Sequence, residues 1–407
     1  MSKYLYLVFL LLFPVMLTGE IFYVSASGDD NNNGSSYDKA FKTIAKGIVR
    51  AQAKDTVLIK EGAYYEKDTR IDKPGPILIK AEGKVVLDCG KGRGFIFDNA
   101  SKIEIDGLEI KNYTAGLQFG SKNNGARNIT IRNCSIHDGG NGFGGWNGSV
   151  SDILLENLDV YNNTNCGGDF TIPNGSITNL TVRKCKIHDN LCKGGNDGFG
   201  IGHKGSKSGI RIINCEVYNN NSDGIDIDAD GTVIDGCIVY NNGIPGEGTP
   251  SWGVGIKVWK DSKIINCVLY HNGYGKDGNP GISIAGPNCL VANCVISDSQ
   301  DAGIVTGGSV KLVNNIFYKE RTAVRADGNG SYNMDSTNIE FYCESETSEK
   351  SLKVDPKFVN PPSDFHLKAG SPAIDAGIKV DKVATDAEGV NRPQGKNFDI
   401  GAYEFKE

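Results

Sequence analysis

The chain has 407 residues, 39% apolar and 23% charged, enough hydrophobic material for a packed core and too much for a disordered polymer. A formal net charge of −6 excludes the basic face that phosphate binding needs, so nucleic acid is not an expected partner. An acidic polysaccharide remains admissible if a metal cation bridges it to the protein.

In chain order, Lys3 precedes an apolar run from Tyr4 to Leu17, followed by the small residue Gly19. Residues 1–19 read as a secretory signal peptide. The run is shorter than the roughly 20 residues a membrane span needs. A secreted protein, extracellular or periplasmic, with no membrane contact after signal removal is therefore expected. Residues 20–53 are expected to form an N-terminal cap, because AFKTIAKGIVRAQA (40–53) has helical periodicity and would cover an open sheet end. The first strands are expected at DTVLIK (55–60) and GPILIKA (75–81).

From there one pattern recurs: an alternating apolar strand ending in Asn-Cys, then a short strand ending in Tyr-Asn or His-Asp. It reads ITIRNCSIHD (129–138), LTVRKCKIHDN (180–190), IRIINCEVYNN (210–220), TVIDGCIVYNN (232–242), KIINCVLYHN (263–272) and LVANCVISDS (290–299). The cysteine slot is filled in turn by Leu108, Cys134, Leu158, Cys185, Cys215, Cys237, Cys267, Cys294 and Asn315. Alternation by two, with Asn/Gly turns and a period in the twenties, predicts coils of a right-handed parallel β-helix. The fold class is all-β, a single-stranded β-helix over residues 54–335 with an N-terminal capping helix. Stacking would turn the cysteines into an interior ladder of buried thiols interchangeable with leucine. Cys166, Cys192 and Cys289 fall outside it, which leaves a disulfide there open. Residues 336–407 read as C-terminal coils and a capping tail. No feature calls for a second chain, so a monomer is expected.

A further strand recurs once per coil: GLQFG (116–120), GFGIG (198–202), GIDID (224–228), GIKVW (255–259), GISIA (281–285) and AGIVT (302–306). With its apolar residues inward, Gln118, Gly200, Asp226, Lys257, Ser283 and Val305 share one outer column. An Asp-Gly pair alone is a turn. Here, however, Asp197, Asp223, Asp226 and Asp228 crowd onto neighbouring coils, and hard divalent cations want converging carboxylate and carbonyl oxygens. The stretch lacks the terminal Glu and flanking helices of an EF-hand. Lys257 lies one coil on, and the next basic residue in its column is Arg325.

These groups suit β-elimination of a 4-linked uronate. A calcium ion would neutralise the sugar carboxylate, and a lysine would take the C5 proton. The run NDGFGIGHKG…RIINCEVYNNNSDGIDID…GCIVYNNG…WGVGIKVW (196–259) resembles polysaccharide lyase family 9, the β-helical pectate lyase and exopolygalacturonate lyase group. The resemblance implies that Asp197, Asp223 and Asp226 bind Ca2+ and that Lys257 is the catalytic base acting on pectate or polygalacturonate. The family pattern has adjacent aspartates where this chain has Ser222 and Asp223, so Asp228 or a carbonyl is expected to complete the ligand set. His203, Lys204, Trp259, Arg321 and Arg325 are candidate substrate contacts.

Rival readings are a polygalacturonase-type glycoside hydrolase, a uronan C5-epimerase and a non-catalytic carbohydrate-binding β-helix. The hydrolase pattern needs Gly-His-Gly and Arg-Ile-Lys downstream of its Asp segment and further carboxylates for acid/base work. Here GHK (202–204) precedes NSDGID, and GIKV stands where Arg-Ile-Lys would.

Overall fold

The computed structural model describes residues 19–406, except 122–123, 192–196, 203–204, 244–252, 275–277, 335–336 and 346–347. Cys192, His203 and Lys204 therefore lie outside the described residues, as does the expected signal segment up to residue 18.

The described chain is a parallel β-helix. One sheet has 11 strands, one per coil, from Thr69–Ile71 to Val324–Ala326, each paired in parallel with the next. A larger sheet of 23 strands takes the other two strands of each coil, such as Arg211–Ile213 and Glu216–Tyr218. These two are separated by Asn214 and Cys215, of which Asn214 is in the left-handed region at φ 52°. Asparagine occupies the same bend at 133, 157, 266, 293 and 314. Its short polar side chain tolerates this conformation better than other L-residues, which is why Asn precedes the cysteine slot.

Ladders fill the interior. Every slot residue from Leu108 to Asn315 is at most 2% exposed. No disulfide joins any two of the ten described cysteines. At the second bend Asn163, Asn190, Asn220, Asn242 and Asn272 stack, each side-chain amide donating to the carbonyl oxygen of the next at 2.9–3.1 Å. Nδ2 also reaches a backbone carbonyl of the adjacent coil, as in Asn220 to Ile187 O at 3.1 Å. The buried amides are thus satisfied. Outside this bend, His137, Tyr161, His188, Tyr218, Tyr240 and Tyr270 stack with centroids 4.6–5.3 Å apart, close to the ~4.8 Å rung spacing.

The asparagine ladder ends at Ser299 and Glu320. The fully buried Glu320 carboxyl accepts from Ser299 Oγ at 3.1 Å. Burial pushes its pKa well above the ordinary carboxyl value, against the hydrogen bonds from Ser299. The folded state keeps the proton that the unfolded chain loses above about pH 4.5, so Glu320 erodes stability progressively as pH rises beyond that point. Glu320→Gln is expected to raise stability by about 1–3 kcal/mol at pH 8 and to change little at pH 4, as read by urea unfolding at both pH values.

A helix, Ile44–Arg50, packs on the strands Ile21–Val24, Thr56–Tyr65 and Thr69–Ile71. It is shorter than the periodic stretch 40–53, because Thr43 caps its start and Ala51 is already extended. The C-terminal tail runs back along the outside of the coils. A two-stranded antiparallel hairpin, Phe358–Asn360 with Asp364–Leu367, buries Phe358, Phe365 and Leu367 against Val268, Val295, Ile316 and Ile339. Phe365 also meets Tyr270 at 5.8 Å.

Candidate functional site

The site is built on the 11-stranded sheet. Ile225 and Ile227 are buried, as are Ile256 and Val258, so alternation turns Asp226 and Lys257 outward. The strands pair with Gly200 opposite Asp226, Asp226 opposite Lys257 and Lys257 opposite Ser283; Val305 and Arg325 follow. In the other direction the column runs through Asp169 and Gly144 to Gln118.

Asp197 stands just before the strand Phe199–Ile201, and Asp223 in the turn before Ile225–Ile227. Stacking these coils brings one carboxylate oxygen each of Asp197, Asp223 and Asp226 within 4.8 Å of one another. Gly200 makes room: a Cβ there would lie 2.8 Å from Asp197 Oδ2. Asp223 Oδ1 accepts from the Val254 N–H at 2.7 Å, and the Ser222 hydroxyl reaches Asp197 Oδ1 at 3.4 Å. Lys257 Nζ donates to Asp226 Oδ2 at 2.7 Å.

The electrostatics are those of a carboxylate cluster short of positive charge. Burial, then Asp223 and Asp226, push Asp197 well above the ordinary carboxylate range against the pull of Lys257. Asp223 is pushed up to about 6 by burial and Asp226. Burial also raises Asp226, with Lys257 opposing. For Lys257, burial favours the neutral form, but Asp226, Asp223 and Asp197 outweigh it and hold the ammonium. Three crowded oxygen donors whose charge one lysine does not balance fit a hard divalent cation. Asp197, Asp223 and Asp226 are the residues that would hold it.

The remaining expectations fare unequally. Asp228 lines the same cleft but does not join the three-carboxylate cluster. It sits two positions along the strand, roughly 6.6 Å from Asp226, where the chain leaves the sheet. Its carbonyl accepts from Lys207 Nζ at 2.9 Å. Ser222, through its contact with Asp197 Oδ1, is a further side-chain oxygen beside the three carboxylates. Trp259 is exposed beside the Lys257 strand. Arg325 lies in the Lys257 column, yet its guanidinium is occupied by Asp301 at 2.6 Å and Asp327 at 3.0 Å. Arg321 is exposed, with its guanidinium 3.9 Å from Glu344.

Asp169 was missing from the expected column. It lies two rungs from Asp226 across Gly200 and lines the same cleft of about 170 Å3. In its segment, CGGDF, Gly168 takes the inward position that Phe143 and Phe199 fill on the neighbouring coils, while Phe170 keeps the next one. The period counted from Gln118 was the only signal that pointed to it.

The family model described as "Pel9A-like, right handed beta helix region" matches residues 22–280. Two solved structures share the fold. Pectate lyase Pel9A has a TM-score of 0.61 and 20% identity, with 96% of this chain and 97% of that one covered. XylC, solved in complex with xylose, has a TM-score of 0.63 and 12% identity, with 95% and 98% covered. The uncharacterized protein YwoF of Bacillus subtilis (strain 168) is 43% identical over 49 residues, which are 12% of this chain and 10% of that protein. Because the family match spans well over half of the chain and includes every coil from Asp169 to Lys257, this protein belongs to the Pel9A-like right-handed β-helix family.

Proposed function

We propose that the protein is a secreted, calcium-dependent polysaccharide lyase that cleaves a uronate-containing polymer, with pectate or polygalacturonate first among candidates. The reading rests on one observation: Lys257 stands one rung from Asp226, beside a three-carboxylate cluster on consecutive coils. Bound at Asp197, Asp223 and Asp226, calcium would neutralise the substrate carboxylate and stabilise the negative charge that develops next to it. Lys257 is the group placed to accept the C5 proton; the C5–H electron pair becomes the C4–C5 double bond as the C4–O bond to the leaving sugar breaks. The same lysine is held as an ammonium while Asp226 carries full charge; sharing that charge with a cation would lower the lysine pKa and free the neutral amine that can accept the proton. Among the described residues no helix is long and apolar enough to cross a membrane.

The test is incubation with polygalacturonate, alginate and rhamnogalacturonan, with and without a chelator, following the unsaturated uronate chromophore. Chelator-sensitive absorbance on one of them is expected. Its absence on all three would refute the lyase reading. New reducing ends without the chromophore would favour a hydrolase, and inverted C5 configuration without cleavage an epimerase.

A further inference from the structure

The cleft that holds Lys257 has a second wall that the elimination does not use. Asp169 and Thr171 form it, opposite Asp197, Asp226 and Lys257, over a floor of Gly168, Gly200 and Gly202. The wall is built rather than incidental: Asp169 Oδ2 accepts from the Trp146 indole N–H at 3.0 Å, and Oδ1 from the Thr171 hydroxyl at 2.8 Å. Both partners are neutral, and no ion pair to Asp169 is found among the described residues. A fixed carboxylate without a cation accepts hydrogen bonds from hydroxyl groups and repels a second carboxylate. Asp169 and Asp226 are two rungs apart, about 9.6 Å, which gives room for a sugar beside the one whose C5 faces Lys257.

We infer that Asp169 is a specificity-determining residue, reading the hydroxyls of a neutral sugar adjacent to the reacting uronate and disfavouring a uronate at that place. The preferred substrate class is then a polymer in which uronate neighbours a neutral sugar, which narrows the lyase reading and displaces the uniform polygalacturonate that the family resemblance alone puts first. This rests on the lyase reading for the position of the reacting sugar.

The experiment compares wild type, Asp169→Asn and Trp146→Phe on rhamnogalacturonan, where uronate alternates with a neutral sugar, and on polygalacturonate, where it does not. Asp169→Asn keeps the side chain's shape and removes its charge. It is expected to lower the ratio of kcat/KM values, alternating over uniform, by about tenfold, mainly through KM. Trp146→Phe keeps the charge and should hold the ratio within about twofold. An unchanged ratio in Asp169→Asn, or loss of its thermal stabilisation by calcium, overturns the inference, the latter by making Asp169 part of the cation site. The same two polymers are also titrated against Lys257→Ala with and without Asp169→Asn, by affinity electrophoresis. If no polymer yields unsaturated product but the binding preference still moves with Asp169→Asn, the lyase reading fails and this one stands. If product forms and neither preference moves, this inference alone fails.

Discussion

Replacing Lys257 by alanine is expected to lower kcat on the cleaved polymer about 10²–10⁴-fold, the range a positioned general base supplies. The side chain is about 41% exposed and bonded to Asp226, so truncation opens no cavity and the melting temperature should hold. Calcium affinity should not fall, because the carboxylates that would bind it remain and the competing ammonium is gone. That combination separates a base from a structural lysine. If Lys257→Ala loses calcium-induced thermal stabilisation together with activity, the lysine organises the cluster. If it keeps full activity, the base lies elsewhere. Lys257→Arg is a sharper control: it restores the positive charge with a group whose pKa is too high to accept a proton at neutral pH, and should be as inactive as alanine.

Glu404→Ala is expected to cost about 3–5 kcal/mol of stability, the effect of leaving a buried charge without its partner. Arg392 and Glu404 have fully buried side chains and meet at 2.6 Å. Arg392 also donates to the carbonyls of Asp399 and Gly401 and to Asn266 Oδ1 on a coil 126 positions earlier. Glu404 in turn accepts from the N–H groups of Asp399 and Gln394. Removing the carboxylate strands the guanidinium and two amides, and the tail should leave the outer face where Val268, Val295 and Ile316 pack beneath it. Urea unfolding reads the energy, and limited proteolysis reads the release of the last ~60 residues, a loosened terminal segment being the preferred cleavage site. An unchanged midpoint with an intact tail would show that apolar contacts alone hold it.

The coils were legible because inward positions obey one steric rule. A slot that holds Cys134, Leu158 and Cys185 in turn can be seen in the letters alone, and so can Asp226 and Lys257, each between two β-branched residues. Asp169 escaped because Gly168 stands where an inward apolar residue belongs, which leaves Phe170 as the one apolar flank and hides the alternation. Asp228 shares the parity of Asp226 but stands two positions along the strand, whereas stacking across coils is what brings the oxygens of Asp197, Asp223 and Asp226 together. The course of the tail was also hidden. Its trace lay in the outward apolar residues Ile265, Val268, Val295 and Val313, which a solvent-facing sheet would not carry and which the tail covers.

Successive ladder asparagines are 30 positions apart from Asn190 to Asn220 and 22 from Asn220 to Asn242, while Asp226 and Lys257 are 31 apart. Strand register is nonetheless unbroken through these coils. Register is therefore kept by the stacked strands and bends, while the number of residues that joins them varies from coil to coil. That number can change without moving the lysine relative to Asp226. The side chains that face the cleft, Asp169 and Lys257 alike, are thus held by the rungs themselves, whatever the length of chain that joins one rung to the next.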